Sequence, residues 1–458
     1  MAANAVQKDV AGPPSLTGTS TPPLDTPEAP APRPEEFVPP DGGVRAWLTV
    51  AGGWLCQFCS FGFINALGTF QYVYEKEILP DESSSNISWI LTTQLFLMFF
   101  LSQPVGLGVD MFGVRAILIP AFAFSVGGLI ALSFATRYWQ IFLAQSLCFG
   151  LGAAGAFIPG LVAAGQYFRR RRAMVLGIVS SGSSCGGVVF PIMLARLFDQ
   201  IGFRATMRYT ALMIGVMLAV AILLVSSPLP PKGWAGRRSL ISFATFKKPT
   251  YLLFVCGNFL VYWGIFGPFD YLPLFASSTP STAGLSLYTV AIINAVSIPG
   301  RILPNIYSDR VGSSLRTMAT CSLAAAVSIL VIWLPINYRR SLGGLVVFAL
   351  VFGFASGAYV SLMTPALIEV AGGHARDLGA VVGTFFAVVA LASLTGLPVQ
   401  GAIMARSAAG AGGGGGADGE EDLMGLIVFC GVVMLAGTGL LAGAFWLAEK
   451  GKRRAGEK

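Results

Sequence analysis

Residues 138–165 read YWQIFLAQSLCFGLGAAGAFIPGLVAAG, without one charged side chain. An α-helix needs about 20 apolar residues to cross the hydrocarbon core of a bilayer, so this stretch predicts a transmembrane helix. The rest of the chain is similar, because 54% of its 458 residues are hydrophobic and only 11% are charged, against about 25% charged residues in soluble domains. The composition excludes a water-soluble globular protein and predicts an integral membrane protein.

Twelve apolar stretches of this kind follow one another, and each predicts one membrane-spanning helix. They lie at residues 46–73, 88–109, 114–135, 138–165, 173–197, 206–227, 250–276, 284–308, 316–336, 341–368, 377–405 and 423–447. The predicted fold class is therefore an all-α membrane protein with twelve transmembrane helices, called spans 1 to 12 in the following.

Three further segments flank and divide the spans. Residues 1–43 are rich in Pro, Ser and Thr and poor in large apolar side chains, which predicts a disordered cytosolic tail. Residues 228–249 begin and end with proline and carry five basic residues and no acidic one, which predicts a linker between six-helix bundles at 44–227 and 250–448. Residues 449–458 form a basic C-terminal tail.

The distribution of Lys and Arg predicts the orientation in the membrane. With a cytosolic N-terminus, 21 basic residues fall on the cytosolic side and eight on the other side. Cytosolic loops of membrane proteins carry such an excess of basic residues. We therefore expect both termini in the cytosol, and we attribute the net charge of +8 to a basic membrane face rather than to nucleic-acid binding.

The two halves of the chain resemble each other. Residues 110–113 read DMFG after span 2, and residues 309–312 read DRVG after span 8. Likewise, GAF at residues 155–157 corresponds to GAY at residues 357–359. Repeats of about 200 residues that each contain six spans are parallel repeats related by an axis along the membrane normal, as in transporters whose two bundles rock against each other.

Arg301 is the most unusual residue of the sequence, because it lies deep within span 8. A charged side chain in a membrane helix is costly and by default functional, since it must face a cavity or a partner. Asn294 and Asn305 share its helix face at spacings of seven and four residues. Two interpretations stay open: Arg301 binds an anionic substrate group, or it binds a structural partner such as Glu369 or backbone carbonyls.

Asp270 is an acidic residue within a predicted span. It lies in span 7 between Pro268 and Pro273, which interrupt the helix and free backbone polar groups beside the carboxylate. At ~1.5 Å rise per residue it lies about 16 Å in depth from Arg301, which argues against a direct salt bridge between them. Asp270 is either a proton carrier or contact for cationic substrate atoms, or a solvated residue at the outer gate.

Four charged residues at the cytosolic helix ends are candidate gating residues: Asp110, Arg115, Asp309 and Arg310. A carboxylate in this position can pair with basic side chains, or with the N-terminus of a neighbouring helix, only while the cytosolic face is closed. The two carboxylates are therefore predicted to act as latches. The alternative is a static surface ion pair, worth ~0–1 kcal/mol.

Four motifs resemble those of a known family. The loop from Gly106 to Arg115 resembles the signature loop of the major facilitator superfamily. Three others resemble motifs of its monocarboxylate porter family, particularly of fungal members: Asp41, Gly42, Gly43 and Trp47 before span 1, residues 167–186 in span 5, and Gly300–Arg301 with Asp309–Arg310 in span 8. The resemblance implies the major facilitator fold and secondary active transport of a monocarboxylate or related small organic acid, without a cofactor.

The resemblance also implies that spans 1 and 7 line the central cavity. Asn65 in span 1 and Tyr262 in span 7 are then candidate substrate contacts, although packing explains such residues equally well. Animal members that carry lactate with a proton have a lysine in span 1 and an acidic residue one turn before the span 8 arginine. Span 1 here contains no lysine, and Ser297 stands four residues before Arg301, so proton coupling stays open.

These departures support an alternative function, the efflux of a secondary metabolite made by a biosynthetic gene cluster; a non-transporting membrane sensor is a more distant alternative. We do not expect an enzyme, because the chain has one histidine, His374, no Gly-rich phosphate loop and no nucleophile with an adjacent base. The expected partners are an anionic small molecule and the lipid bilayer. We expect no metal site and no nucleic acid, and a monomeric multi-pass protein of the plasma membrane.

Overall fold

The computed structural model describes residues 38–231, 233, 248–277, 285–339, 341–371, 378–410 and 423–456. Every regular element within these residues is a helix. The predicted tail up to residue 37 lies outside the described residues, as do residue 232 and residues 234–247 of the predicted linker.

Eleven helices in the described residues are long and apolar enough to cross a membrane. One of them, Arg172–Leu224, is broken at Gly202, whose φ of 75° and ψ of 169° are not helical. Its two arms, residues 172–201 and 203–224, are labelled α5 and α6, and each exceeds the ~20 residues that a crossing needs. The remaining helices are α1 (Val44–Ile78), α2 (Asn86–Phe112), α3 (Val114–Leu132), α4 (Tyr138–Tyr167), α7 (Pro249–Ser277), α8 (Tyr288–Val311), α9 (Ser314–Arg339), α10 (Leu342–Ala371), α11 (Val381–Met404) and α12 (Met424–Gly451).

This break is consistent with a count of twelve spans, which stays a prediction. The helical backbone also continues beyond the expected ends of the spans. After α12 it extends to Gly456, through most of the predicted basic tail, because Lys, Arg, Glu and Ala are good helix formers.

The first helix is not continuous. The segment Phe58–Gly62 is a π-helix, and α1 is interrupted at Asn65 and Ala66 before it resumes at Leu67. Such π-helical turns and helix breaks in transporters occur frequently at functional sites. The π-helical segment includes Phe61, which lines the cavity beside Arg301.

The repeated sequence DxxG forms the same structure in both halves. Gly113 ends α2 with a φ of 86° and donates its N–H to the Val109 carbonyl at 3.0 Å. Gly312 ends α8 with a φ of 75° and donates to the Ser308 carbonyl at 2.9 Å. Positive φ values are accessible to glycine without steric cost, so both repeats stop a helix with the same residue at the same place.

Helix packing follows the predicted division into halves. In the first half α1 packs on α4 and α5, while α3 packs on α4 and α6. In the second half α7 packs on α11 and α12, α8 packs on α10, and α9 packs on α10 and α12. Among the described residues, helices of the two halves meet mainly along two contacts, α5 with α8 and α2 with α11, and to a lesser extent where α10 meets α5 and α11 meets α4. The candidate site lies between these two contacts.

Candidate functional site

Arg301 is buried in α8, with 5% of its surface exposed. Its Nη1 donates to the Ser180 carbonyl at 3.1 Å and to the Ser183 hydroxyl at 2.9 Å, both on α5. Its Nε is buried and has no hydrogen-bond acceptor among the described residues. Within the part of the chain that the structure describes, no carboxylate lies within 4.0 Å of the guanidinium. The site therefore contains a buried cation with neutral partners and an unused donor.

A small enclosed cavity adjoins Arg301. Its volume is about 10 Å³, which is enough for one water molecule at most. Polar groups on its walls come from Gln57, Ser180, Thr364 and Arg301, and Tyr262 is also part of the wall. The structure thus brings together two of the predicted substrate contacts, Arg301 and Tyr262, in a closed space.

Most of the remaining wall is aromatic. The aromatic cluster consists of one ring from each of five helices, α1, α2, α4, α7 and α11: Phe61, Phe99, Phe157, Tyr262 and Phe386. All five side chains are buried. Helices of both halves contribute, so the cluster crosses the boundary along which the halves must separate when a transporter opens.

The rings of the aromatic cluster contact one another directly. Phe99 and Phe386 are nearly parallel, with centroids 5.7 Å apart and an interplanar angle of 7°. Phe157 packs edge-on against Phe386 at 5.1 Å, and Tyr262 packs edge-on against Phe99 at 6.0 Å. Of this cluster, only Tyr262 is a candidate from the sequence. The other four rings are phenylalanines, and nothing in the sequence distinguishes them among the 33 phenylalanines of the chain.

Asn294 and Asn305, which share a helix face with Arg301, lie in the contact between α8 and α5. Asn294 packs against Gly187, where a Cβ atom would be 2.6 Å from its side-chain carbon Cγ. Asn305 packs against Gly177, and its Nδ2 donates to the Ser361 hydroxyl at 2.6 Å. Neither asparagine is among the described residues that line the cavity. The helix face that Arg301 shares with the two asparagines packs against α5, and of these three residues only Arg301 lines the cavity.

Asn65 and Asp270 lie away from the cavity. Asn65 is half-buried at the interruption of α1, and its Nδ2 donates to the Phe61 carbonyl at 2.9 Å and to the Ser183 carbonyl at 3.4 Å. Asp270 is exposed on α7. Arg301 is buried and has no acidic partner among the described residues, so it does not pair with Asp270. This agrees with the difference in membrane depth between the two residues that the sequence predicts.

Asp309 joins the two halves at the predicted cytosolic end. Its Oδ1 accepts a hydrogen bond from the Ala173 N–H at 3.0 Å, and its Oδ2 accepts one from the Met174 N–H at 2.8 Å. These N–H groups belong to the first turn of α5, where no partner exists within the helix. A carboxylate is also favoured at a helix N-terminus by the helix dipole. The contact joins α8 to the start of α5, and the role of Asp309 as a latch stays a prediction.

The other candidate gating residues have different surroundings. Asp110 is buried near the end of α2. Arg115 is exposed, and its Nη2 donates to the Leu223 carbonyl of α6 at 3.3 Å, within the same half. Arg310 is exposed at the end of α8.

The segment before α1 is bound to the loop between α4 and α5. Asp41 has a φ of 53°, and its Oδ1 accepts hydrogen bonds from the backbone N–H groups of Arg169 and Arg170 at 2.5 and 2.9 Å. Asp41, which the sequence assigns to the tail, therefore makes defined contacts. The reason is that consecutive free N–H groups in the loop form an anion-binding site for the carboxylate.

Gly42 and Gly43 connect this contact to α1. Gly43 has a φ of 99°, which turns the chain into the helix. In the first turn of α1, Trp47 packs edge-on against Phe168, with ring centroids 5.5 Å apart. The structure thus brings the motif before span 1 into contact with the motif that begins at Tyr167.

Comparison with known proteins gives consistent results. The sequence pattern of the Major Facilitator Superfamily matches residues 53–397. The MFS-type transporter hasB of Aspergillus fumigatus is 41% identical over 438 residues, covering 92% of this chain and 94% of that protein. The Fujikurins efflux protein of Gibberella fujikuroi is 35% identical, covering 92% and 87%. The Aspyridones efflux protein apdF of Emericella nidulans is 35% identical, covering 82% and 74%.

A solved structure shares the fold. The crystal structure of the human organic anion transporter MFSD10 (TETRAN) matches with a TM-score of 0.64, covering 87% of this chain and 99% of that chain, at 15% sequence identity. At this identity the likeness establishes the fold alone. Together with the sequence matches and the all-helical structure of the described residues, it shows that this chain is a multi-pass membrane transporter of the Major Facilitator Superfamily.

Proposed function

We propose that this protein exports a small anionic product of secondary metabolism across the plasma membrane by alternating access. Arg301 binds the anionic group of the substrate in the central cavity, and Asp309 holds the cytosolic face closed. The buried guanidinium with an unused Nε donor is the observation that carries this proposal.

The charge of Arg301 supports an anionic substrate. A buried charge is destabilising unless it is paired, and the partners of Arg301 are a backbone carbonyl and a hydroxyl, which are both neutral. A carboxylate can accept two parallel hydrogen bonds from a guanidinium, which satisfies Nε together with one Nη. The neighbouring cavity is the space from which such a group approaches.

The relatives favour export. Two of them are named as efflux proteins for fujikurins and for aspyridones, and both align with more than four-fifths of this chain. They support the second of the two functions considered from the sequence better than the first, transport of a monocarboxylate. The absence of a lysine in span 1 points the same way, since the residues associated with lactate and proton transport are missing.

The contacts between the halves support alternating access. The cavity beside Arg301 is too small for an organic acid, so the substrate enters only after the halves separate. Separation at the cytosolic end breaks the two hydrogen bonds that Asp309 makes to α5. The energy of this latch therefore contributes to the equilibrium between the closed and open forms.

We also propose that the protein belongs to the monocarboxylate porter family within the superfamily. The support is the contact of Asp41 with Arg169 and Arg170, because it joins two of the motifs on which the resemblance depends. Such membership concerns ancestry and architecture, and it is compatible with export of a larger organic acid.

Metabolite profiling tests the proposed function. The gene is deleted in the source organism and replaced by the wild type, by Arg301→Gln or by the control Arg204→Gln, which changes an exposed arginine of α6. We expect at least one anionic metabolite to move from the medium into the cells in the deletion strain and in the Arg301→Gln strain. The Arg204→Gln strain should resemble the wild type.

Two results would contradict the proposal. Equal partition of every metabolite between cells and medium in the deletion and wild-type strains would exclude export and would favour a non-transporting sensor. Normal export by an Arg301→Gln protein that reaches the membrane in normal amounts would show that Arg301 is only structural.

A further inference from the structure

The walls of the Arg301 cavity identify a narrower class of substrate than an organic acid. Five of the eleven residues that line it are the rings of the aromatic cluster. Short aliphatic acids need no such surface, because a guanidinium with hydrogen-bonding neighbours suffices to bind a carboxylate. The rings are an apolar, flat and polarisable surface placed directly beside the cation.

The arrangement of the rings determines how that surface becomes available. Phe99 lies on α2 and Phe386 on α11, which are the helices that meet along one of the two contacts between the halves. Their rings are parallel to within 7°. Separation of the halves moves the Phe99 and Phe386 rings apart, so that each ring loses its stacking partner. A planar conjugated group that enters between them restores stacking on both sides.

The same movement separates the two edge-on pairs that cross the halves, Phe157 with Phe386 and Tyr262 with Phe99, but keeps the ring pair within the first half together. Phe61 and Phe157 both lie in the first half and contact each other at 6.2 Å, with an interplanar angle of 77°. They form one side of a slot whose other components, Tyr262 and Phe386, lie in the second half. Arg301 lines the same small cavity, so an anionic group attached directly to a ring reaches the guanidinium while the ring lies among the aromatic side chains.

We propose that the substrate is a planar aromatic organic acid whose ring stacks between Phe99 and Phe386 while its anionic group binds Arg301. This inference rests on the proposed function for the role of Arg301 and adds the chemistry of the remainder of the substrate. It makes Phe99 and Phe386 specificity-determining residues for the shape and aromaticity of the substrate.

Three probes of matched size test the proposal. They are 2-naphthoate, which is planar and anionic, decahydro-2-naphthoate, which is anionic with a saturated and puckered ring system, and 2-naphthamide, which is planar and neutral. Their binding is measured with the purified full-length protein in lipid nanodiscs at pH 7. The variants are Phe99→Leu, Phe386→Leu and Arg301→Gln, and the control is Phe96→Leu, a half-buried ring on α2 that stacks on Phe100 and does not line the cavity.

We expect the wild type to bind 2-naphthoate about tenfold more tightly than decahydro-2-naphthoate, because two aromatic pairs are gained. Phe99→Leu and Phe386→Leu should reduce this ratio to within about twofold of unity, whereas Phe96→Leu should retain it. Arg301→Gln should abolish the preference for 2-naphthoate over 2-naphthamide and leave the affinity for 2-naphthamide unchanged.

The possible failures are distinguishable. Equal binding of the two anions to the wild type, with a retained dependence on Arg301, would overturn the aromatic class and leave the proposed function intact. An unchanged ratio in correctly folded Phe99→Leu and Phe386→Leu proteins would also overturn it. Failure of all three probes to bind would overturn the aromatic class, and equal binding of 2-naphthoate to the wild type and Arg301→Gln would overturn both proposals.

Discussion

Replacing Asp309 with asparagine is the most direct perturbation of the predicted latch. The carboxylate accepts the N–H groups of Ala173 and Met174 through its two oxygens. Asparagine has the same shape but only one acceptor oxygen, and it carries no charge. The substitution therefore removes one hydrogen bond and converts the other from a charge-assisted to a neutral one.

The size of the effect follows from these two contacts. A hydrogen bond to a charged group contributes about 1.5–3 kcal/mol, and a neutral one contributes about 0.5–1.5 kcal/mol. For groups shielded from water, losing the first bond and weakening the second would together remove about 2.5–4 kcal/mol. Asp309 is half-buried, so water competes for the acceptor and lowers this loss by roughly half. We expect the closed form to lose about 1–2 kcal/mol relative to the open form, which is a shift of about 5- to 30-fold in the equilibrium.

Hydrogen–deuterium exchange at single-residue resolution measures this shift at the latch itself. The N–H groups of Ala173 and Met174 depend on Asp309 for their protection, whereas the next one, that of Val175, donates to the Arg171 carbonyl at 3.0 Å within α5. In Asp309→Asn, exchange should accelerate about 5- to 30-fold at residues 173 and 174, and remain unchanged at Val175. Transport should also fall at normal membrane levels.

A matched control and a clear refutation are available. Asp41→Asn also removes a carboxylate from two backbone N–H groups, those of Arg169 and Arg170, but within one half of the protein. It should accelerate exchange at residues 169 and 170 only. Unchanged exchange at residues 173 and 174 in Asp309→Asn would refute the latch, and equal acceleration along the whole first part of α5 would indicate local unfolding instead.

Two further substitutions test the contact between α5 and α8 and the way in which Arg301 binds the substrate. Gly177→Ala places a Cβ atom onto the Arg301 carbonyl oxygen. It should therefore lower transport at least tenfold and lower the melting temperature of the protein. The control Gly68→Ala, which has no atom within 4 Å of the new Cβ, should change neither quantity. Arg301→Lys keeps the charge but loses the paired donors of the guanidinium; we expect a folded protein with at least tenfold weaker transport of the metabolite found by profiling, and wild-type transport would exclude bidentate binding.

The sequence alone was sufficient for the helical membrane fold and for its internal repeat. Both depend on local properties: the length of an apolar stretch determines whether a helix can cross a bilayer, and a glycine that adopts positive φ determines where it ends. Gly113 and Gly312 behave in this way at equivalent positions, as the DxxG repeat indicated. Arg301 could likewise be recognised from its depth in span 8, since a charged residue within an apolar stretch is visible in the sequence before its neighbours in the fold are known.

The partners of these residues required the tertiary structure. The spacing of Asn294, Arg301 and Asn305 shows that they share a helix face, but periodicity does not specify which neighbouring helix covers that face. The structure places the asparagines against α5 and only Arg301 at the cavity. Asp309 binds backbone N–H groups, which every residue except proline possesses and no sequence pattern marks.

The aromatic cluster is the clearest case of information that only the tertiary structure contains. Its rings come from five helices, and Phe61 and Phe386 are separated by more than 300 residues of sequence. Each ring by itself resembles any other phenylalanine of an apolar span, because burial in lipid and burial in a central cavity require the same side chain. Convergence of the five helices on one point distinguishes these rings, and convergence is a property of helix packing rather than of any single stretch of sequence.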